Sequence, residues 1–177
     1  MTLMQMIDKM DAGVMYMKKD VEISNDDTLS TLNKKMTTAA IDLILEALPL
    51  YIENKLPGEE QDESLVSFCP TIKKEQEHLD LTLPAQTIVN WVRALNDHPG
   101  AYLLMDDIKL KIWKAEVVNN IVKAQVGEII EASKKGLIMQ AKDGQIALLE
   151  LQKEGKNKMN YLSFLNGNQG LVGKILK

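Results

Sequence analysis

Near the front of the chain, Asp11 stands two residues ahead of Gly13 in the run Met10-Asp11-Ala12-Gly13. The run closes a polar turn, Ile7 to Gly13, between two stretches that read as strands. Turns at strand ends are where α/β proteins hold working groups. A carboxylate there can accept a proton or keep a neighbouring imidazole protonated. Asp ahead of Gly also shapes turns with no chemical role, so composition alone leaves both readings open for Asp11. Other reactive side chains are scarce. Cys69 is the only cysteine, which excludes an internal disulfide and a cysteine zinc site; ahead of Pro70 it reads as a packed thiol. With His78 and His98 as the only histidines, no metal is expected.

Cations supply a second chemistry. Lys73 and Lys74 precede a predicted helix that carries Arg93, and Lys109, Lys111 and Lys114 recur along a predicted strand. Period-two spacing puts Lys109 and Lys111 on one face of that strand and turns Ile112 the other way. Lys153, Lys156 and Lys158 surround Gly155, a loop able to approach a phosphate closely. Such clusters suit a polyanion, each phosphate contact adding to the salt dependence of binding. They equally suit a solvated face that balances Glu150 and Glu154. Trp91 and Trp113 have the rings to stack on bases. An amphipathic helix around one and an apolar strand around the other favour core packing instead. Of the ten methionines, five fall in the first fifteen residues and read as core filler.

The elements that must position these groups come in two textures. Residues 1–6 and Val14 to Ile23 read as strands, and Ser24 to Asp27 as a turn in which Asp26 or Asp27 can cap a helix. Thr28 to Lys55 carries a helical stripe through Leu29, Leu32, Met36, Ala39, Ala40, Leu43, Ile44, Ala47 and Leu48. Leu56 to Ser64 is a composition break with a proline, a glycine and four acidic residues. A helix follows over Leu83 to Asn96, with Ile88, Val89, Val92 and Leu95 on one face. Then come short β-type runs: Ala101–Met105, Ile108–Val118, Val126–Ala132, Gly136–Ala141 and Gln145–Leu151. A final helix, Asn160 to Asn166, ends at Gly167. The expected fold is an α/β fragment (strand-turn-strand-helix) over 1–55, a linker over 56–70, and over 71–177 a mainly β, OB-like five-stranded barrel with flanking helices. A net charge of −4 and a pI near 5.3 argue against a globally basic protein, although a local face decides binding. No apolar run reaches the ~18 residues of a membrane span, and no signal-peptide pattern opens the chain, which therefore reads as cytoplasmic.

Five stretches carry a resemblance. Thr2-Leu3-Met4-Gln5-Met6 and Met10-Asp11-Ala12-Gly13 look like the end of the catalytic domain of the methionyl-tRNA formyltransferase family. Arg93–Ala101 (RALNDHPGA), Lys111–Ala115 (KIWKA) and Leu149–Lys158 resemble its C-terminal domain. The resemblance extends from Thr2 to about Gly173. It implies an intact enzyme that moves a formyl group from 10-formyltetrahydrofolate to the α-amine of methionyl initiator tRNA. It also implies that Asp11 assists proton movement as the amine attacks, and that the barrel supports the acceptor arm of the tRNA through Lys111, Lys114, Lys153 and Lys156. Lys73, Lys74, Arg93 and Lys158 complete the basic set assigned to RNA. Two departures stand out: Val14 follows the glycine where the family carries an acidic residue, and the family's Asn and His ahead of a Ser-Leu-Leu-Pro segment do not occur. The chain is therefore expected to correspond to a C-terminal portion, inactive alone. The alternatives are a stand-alone tRNA-binding module and a family member with another acceptor. Exposed strand edges within residues 1–23 are expected to favour self-association.

Overall fold

In the computed structural model, which describes all 177 residues, the chain divides into two units, Met1–Thr71 and Ile72–Lys177. In the first, β1 (Thr2–Met4) pairs antiparallel with β2 (Met15–Lys18), and α1 (Leu29–Ile52) follows. Both strands are shorter than their apolar runs. Gly13 sets the close approach that ends the hairpin: a Cβ there would lie 1.9 Å from the Gln5 carbonyl oxygen. The helix cap differs from expectation. Thr28 closes a capping box with Thr31, whereas Asp27 accepts from the Ser24 amide (2.7 Å), the Thr31 hydroxyl (2.8 Å) and Lys35 Nζ (2.6 Å). Those donors, the Lys35 ammonium foremost, hold the Asp27 carboxyl at about 2. Of the expected stripe on α1 only Ala39, Leu43 and Ala47 are buried; Ile41, Ile44, Leu45, Leu48, Tyr51 and Ile52 face solvent.

The second unit starts with α2 (Ala85–Ala94), whose first free amide, that of Ala85, donates to Asp143 Oδ1 at 2.7 Å. The strands are β3 (Ala101–Met105), β4 (Ile108–Asn119), β5 (Ile129–Ser133), β6 (Gly136–Gln140), β7 (Gln145–Lys153) and β8 (Met159–Asn160), followed by α3 (Tyr161–Asn166). They form one antiparallel sheet in the order β3-β4-β7-β6-β5, with β8 also paired to β7. This makes a mixed α/β protein with an open six-stranded sheet. No strand pairing joins β3 to β5, so the five-stranded closed barrel expected from the sequence is not formed. The edges are instead satisfied by the final residues. Ile129 N–H donates to Lys174 O (2.8 Å), Leu176 N–H to Gly127 O (2.8 Å), and Leu104 exchanges bonds with Lys177 (2.6 and 3.0 Å). Ile88 and Val92 of α2 and Leu95 just beyond it pack with Leu103, Leu110, Ile112, Met139, Ile146, Leu148, Leu151 and Phe164 into one core. Alternation along β3, β4 and β7 supplies those inward residues and leaves the opposite face of β4 and β7 for function.

Candidate functional site

Asp11 sits where the β1–β2 connection turns, exposed and with φ of 52°, a left-handed conformation that aspartate tolerates better than most residues. Its turn is clamped from downstream: Gln61 Nε2 donates to both Asp11 O and Gly13 O at 2.8 Å. Glu59 adds a backbone bridge to Met15, with N–H···O distances of 2.9 and 2.8 Å. Asp11 opens onto a cleft of about 650 Å³ lined also by Lys9, Glu60, Glu63, Phe68 and Cys69. Lys9 bonds Glu63 at 2.8 Å and draws the Glu63 carboxyl below its usual range. Cys69 is exposed, correcting the expectation of a packed thiol, because the segment around it forms no strand or helix that would cover it. Both histidines belong to the second unit, and no group of three His, Cys, Asp or Glu side chains gathers to hold a metal ion.

The cations of the second unit are sorted by one irregularity in β4. Strict alternation would put Lys111 and Lys114 on opposite faces. In the ladder, however, Lys111 pairs with Gln152, Ile112 with Leu151 and Lys114 with Glu150, which leaves Trp113 as an extra, bulged residue. Lys111 and Lys114 therefore share the outer face with Gln152 and Glu150. The Trp113 ring lies on this face too. It is only 8% exposed, buried as expected for it, although it packs on this face and not within the main cluster. Trp91, by contrast, does pack against the core. Trp113 Nε1–H donates to Gln152 Oε1 (3.0 Å), and Gln152 Nε2 donates in turn to Lys156 O (2.7 Å), fixing the turn after β7. Asn96 Nδ2 donates to Trp113 O at 2.5 Å, and Lys111 Nζ to Pro99 O at 2.7 Å. Gly100 (φ +89°) lies against the indole with no room for a Cβ. Two ammonium groups lie near the ring, Lys111 Nζ at 5.2 Å and Lys158 Nζ at 5.6 Å from its centroid, and Lys158 is ion-paired to Glu150 at 2.6 Å.

Lys111, Lys114, Lys156 and Lys158 thus surround one framework, and Lys114 and Lys156 have no carboxylate partner. Lys153 does not join them. Paired with Leu110, it points to the other face, and its Nζ donates to Asn168 Oδ1 at 2.7 Å beyond α3. Arg93 is half-buried on α2 and donates to Asn90 Oδ1 at 2.9 Å. Lys73 and Lys74 are exposed where a 3₁₀ turn, Lys74–Glu77, begins. Lys109, on the same face as Lys111, instead covers the Tyr102 ring at 3.9 Å. The sequence anticipates Glu150 as a carboxylate balancing these lysines, but not the roles of Trp113, Gln152 and Gly100. The available signal was the pair Ile112-Trp113, two apolar residues in succession where alternation calls for one.

The chain belongs to the family described as the formyl transferase C-terminal domain, which matches residues 71–169. More particularly, it is similar to the C-terminal portion of methionyl-tRNA formyltransferases. It is 41% identical over 166 residues to the protein of that name from Lactobacillus gasseri, covering 94% of this chain and 53% of that one. The chain spans about half the length of the curated relatives it matches. HypX from Aquifex aeolicus, solved in complex with tetrahydrofolic acid, shares the fold at a TM-score of 0.72 and 17% identity, over 96% of this chain and 30% of that one. WlaRD, a sugar 3N-formyl transferase, shares it at 0.59 and 19%, over 88% of this chain and 55% of that one.

Proposed function

We propose that the chain serves a methionyl-tRNA formyltransferase as its C-terminal portion and presents the outer face of β4 and β7 to initiator tRNA. The observation that carries the reading is the bulge at Trp113, which gathers Lys111 and Lys114 beside Lys156 and Lys158 in a chain of this family. Lys73, Lys74 and Arg93 are assigned to the same polyanion from flanking positions, whereas Lys153, turned to the other face, is not. On this reading residues 1–55 are the end of the catalytic domain, 56–70 the linker, and 71–177 the RNA-supporting domain. The sheet of that domain is then an open, OB-like one whose edges are tied by the C-terminal segment, a view supported by the segment's hydrogen bonds to both Ile129 and Leu104.

The formyl donor is a folate, 10-formyltetrahydrofolate. In the transfer, the neutral α-amine of methionyl-tRNA bonds to the formyl carbon, the carbon–nitrogen bond to the folate breaks as that nitrogen gains a proton, and the amine loses one. Asp11 is the group of this chain suited to take that proton, since its carboxylate is exposed in a turn pinned by Gln61. Transfer by the chain alone is not expected. On this reading the protein works in the cytoplasm, in translation initiation. The outer edge of β1 is free to pair with a second copy, which light scattering would refute by finding a monomer at all concentrations.

The test is binding of initiator tRNA at low and moderate salt. Four lysine–phosphate contacts give a log–log slope of about −3.6. Steep salt weakening supports the reading, and absence of binding even at low salt overturns it.

A further inference from the structure

Resting on that reading, we infer that Lys111, Lys158 and the Trp113 indole form a phosphodiester subsite whose place is held by the Glu150 carboxylate until RNA arrives. The indole is the floor. Two ammonium groups lie 5.2 and 5.6 Å from its centroid, and it is fixed by its N–H bond to Gln152 and by Gly100 behind it. Lys158 is not waiting free. Glu150 Oε2 lies 2.6 Å from its ammonium, and both side chains remain accessible, at 47% and 38%. Glu150 is also the cross-strand partner of Lys114, so one carboxylate stands among the ammonium groups of the face. A carboxylate in that position imitates the anion the face would take. A phosphate replaces it by accepting from Lys158 as Glu150 turns out to solvent. Exposed ion pairs are weak enough for that exchange.

The arrangement makes an unusual forecast: removing an acidic residue should strengthen RNA binding beyond its simple share of net charge. Glu150→Gln keeps the shape and frees Lys158. Binding of a short acceptor-stem RNA duplex should tighten by up to about fivefold at low salt. Its log–log salt slope should steepen by up to about 0.9, because the Glu150 carboxylate freed in the unmutated protein takes up a cation as Lys158 meets phosphate. The indole N–H resonance of Trp113, assigned with Trp91→Phe, should shift on titration in both proteins. Glu46→Gln, an exposed site in the first unit, controls for net charge and should leave the slope unchanged. If the duplex binds but Glu150→Gln leaves the slope unaltered and the indole still, the subsite is wrong while the RNA reading stands. If no duplex binds, the RNA reading fails, and inorganic tripolyphosphate decides the subsite separately. A Trp113 shift that grows in Glu150→Gln supports it, and no shift overturns it.

Discussion

Gly100→Ala should be among the most damaging single-methyl additions to the second unit, and the structure allows its cost to be split. Gly100 has φ of +89°, a region where an L-residue costs about 1–2 kcal/mol. The added Cβ would lie 2.6 Å from Trp113 Cη2 and 2.9 Å from Cζ3, with Lys111 Cδ at 3.2 Å. The ring cannot swing away cheaply, because Gln152 holds its N–H and the bulge holds its backbone. Overpacking of this kind adds about 1–3 kcal/mol. The expected total is about 2–5 kcal/mol. Gly155 provides the control: its φ is +70°, and a Cβ there meets nothing within 4 Å, so Gly155→Ala should carry only the backbone share, about 1–2 kcal/mol. Urea unfolding followed by tryptophan emission suits the comparison, since Trp91 and Trp113 both lie in the second unit. At an m-value of about 1.5 kcal/mol/M, Gly100→Ala should lower the midpoint by roughly 1–3 M. Equal losses for the two variants would refute the contact between Gly100 and the indole.

Asp27 makes the first unit acid-sensitive in a defined window. Its folded pKa of about 2 lies below the ordinary 3.8, so its contribution is complete above about 3.8 and is lost as pH falls toward 2. Circular dichroism of α1 should show this acid transition, and Asp27→Asn should be less stable at neutral pH and flatten it. Leu151→Ala, at a position with no solvent exposure, should cost about 2–5 kcal/mol in the same urea assay. Gln61→Ala should loosen the Asp11 turn without global unfolding. Hydrogen exchange should then speed up at the Gln5 amide, which donates to Val14 O at 2.9 Å, while second-unit amides stay unchanged.

Legibility from sequence followed how local the determining physics is. The strands of the second unit were readable because each inward position, such as Leu103, Leu110, Ile146 and Leu148, repeats at period two. The partners of the sheet edges were not readable, because the Leu104–Lys177 and Ile129–Lys174 bonds depend on where the C-terminal segment folds back. The α1 stripe was visible as a helix, but its burial was not. Periodicity says which residues share a face and is silent on whether anything covers it. At the candidate site, residue types were evident but their grouping was not. Lys153 and Lys156 are neighbours in sequence, yet one faces Asn168 while the backbone of the other is held under Gln152. Lys111 and Lys114 are united only by a bulge that no composition rule announces.

That bulge bears on how this strand tolerates changes in length. The pairing counts from Ile112 directly to Lys114, so the side chains beyond it face as they would in a straight strand one residue shorter. A deletion at 113 would remove the indole and its bond to Gln152 while leaving Lys114, Ala115 and Val117 on their present sides. The same deletion at 110 or 116 would turn part of the core outward. A lineage can therefore gain or lose the indole floor by a single codon without refolding the sheet beneath it.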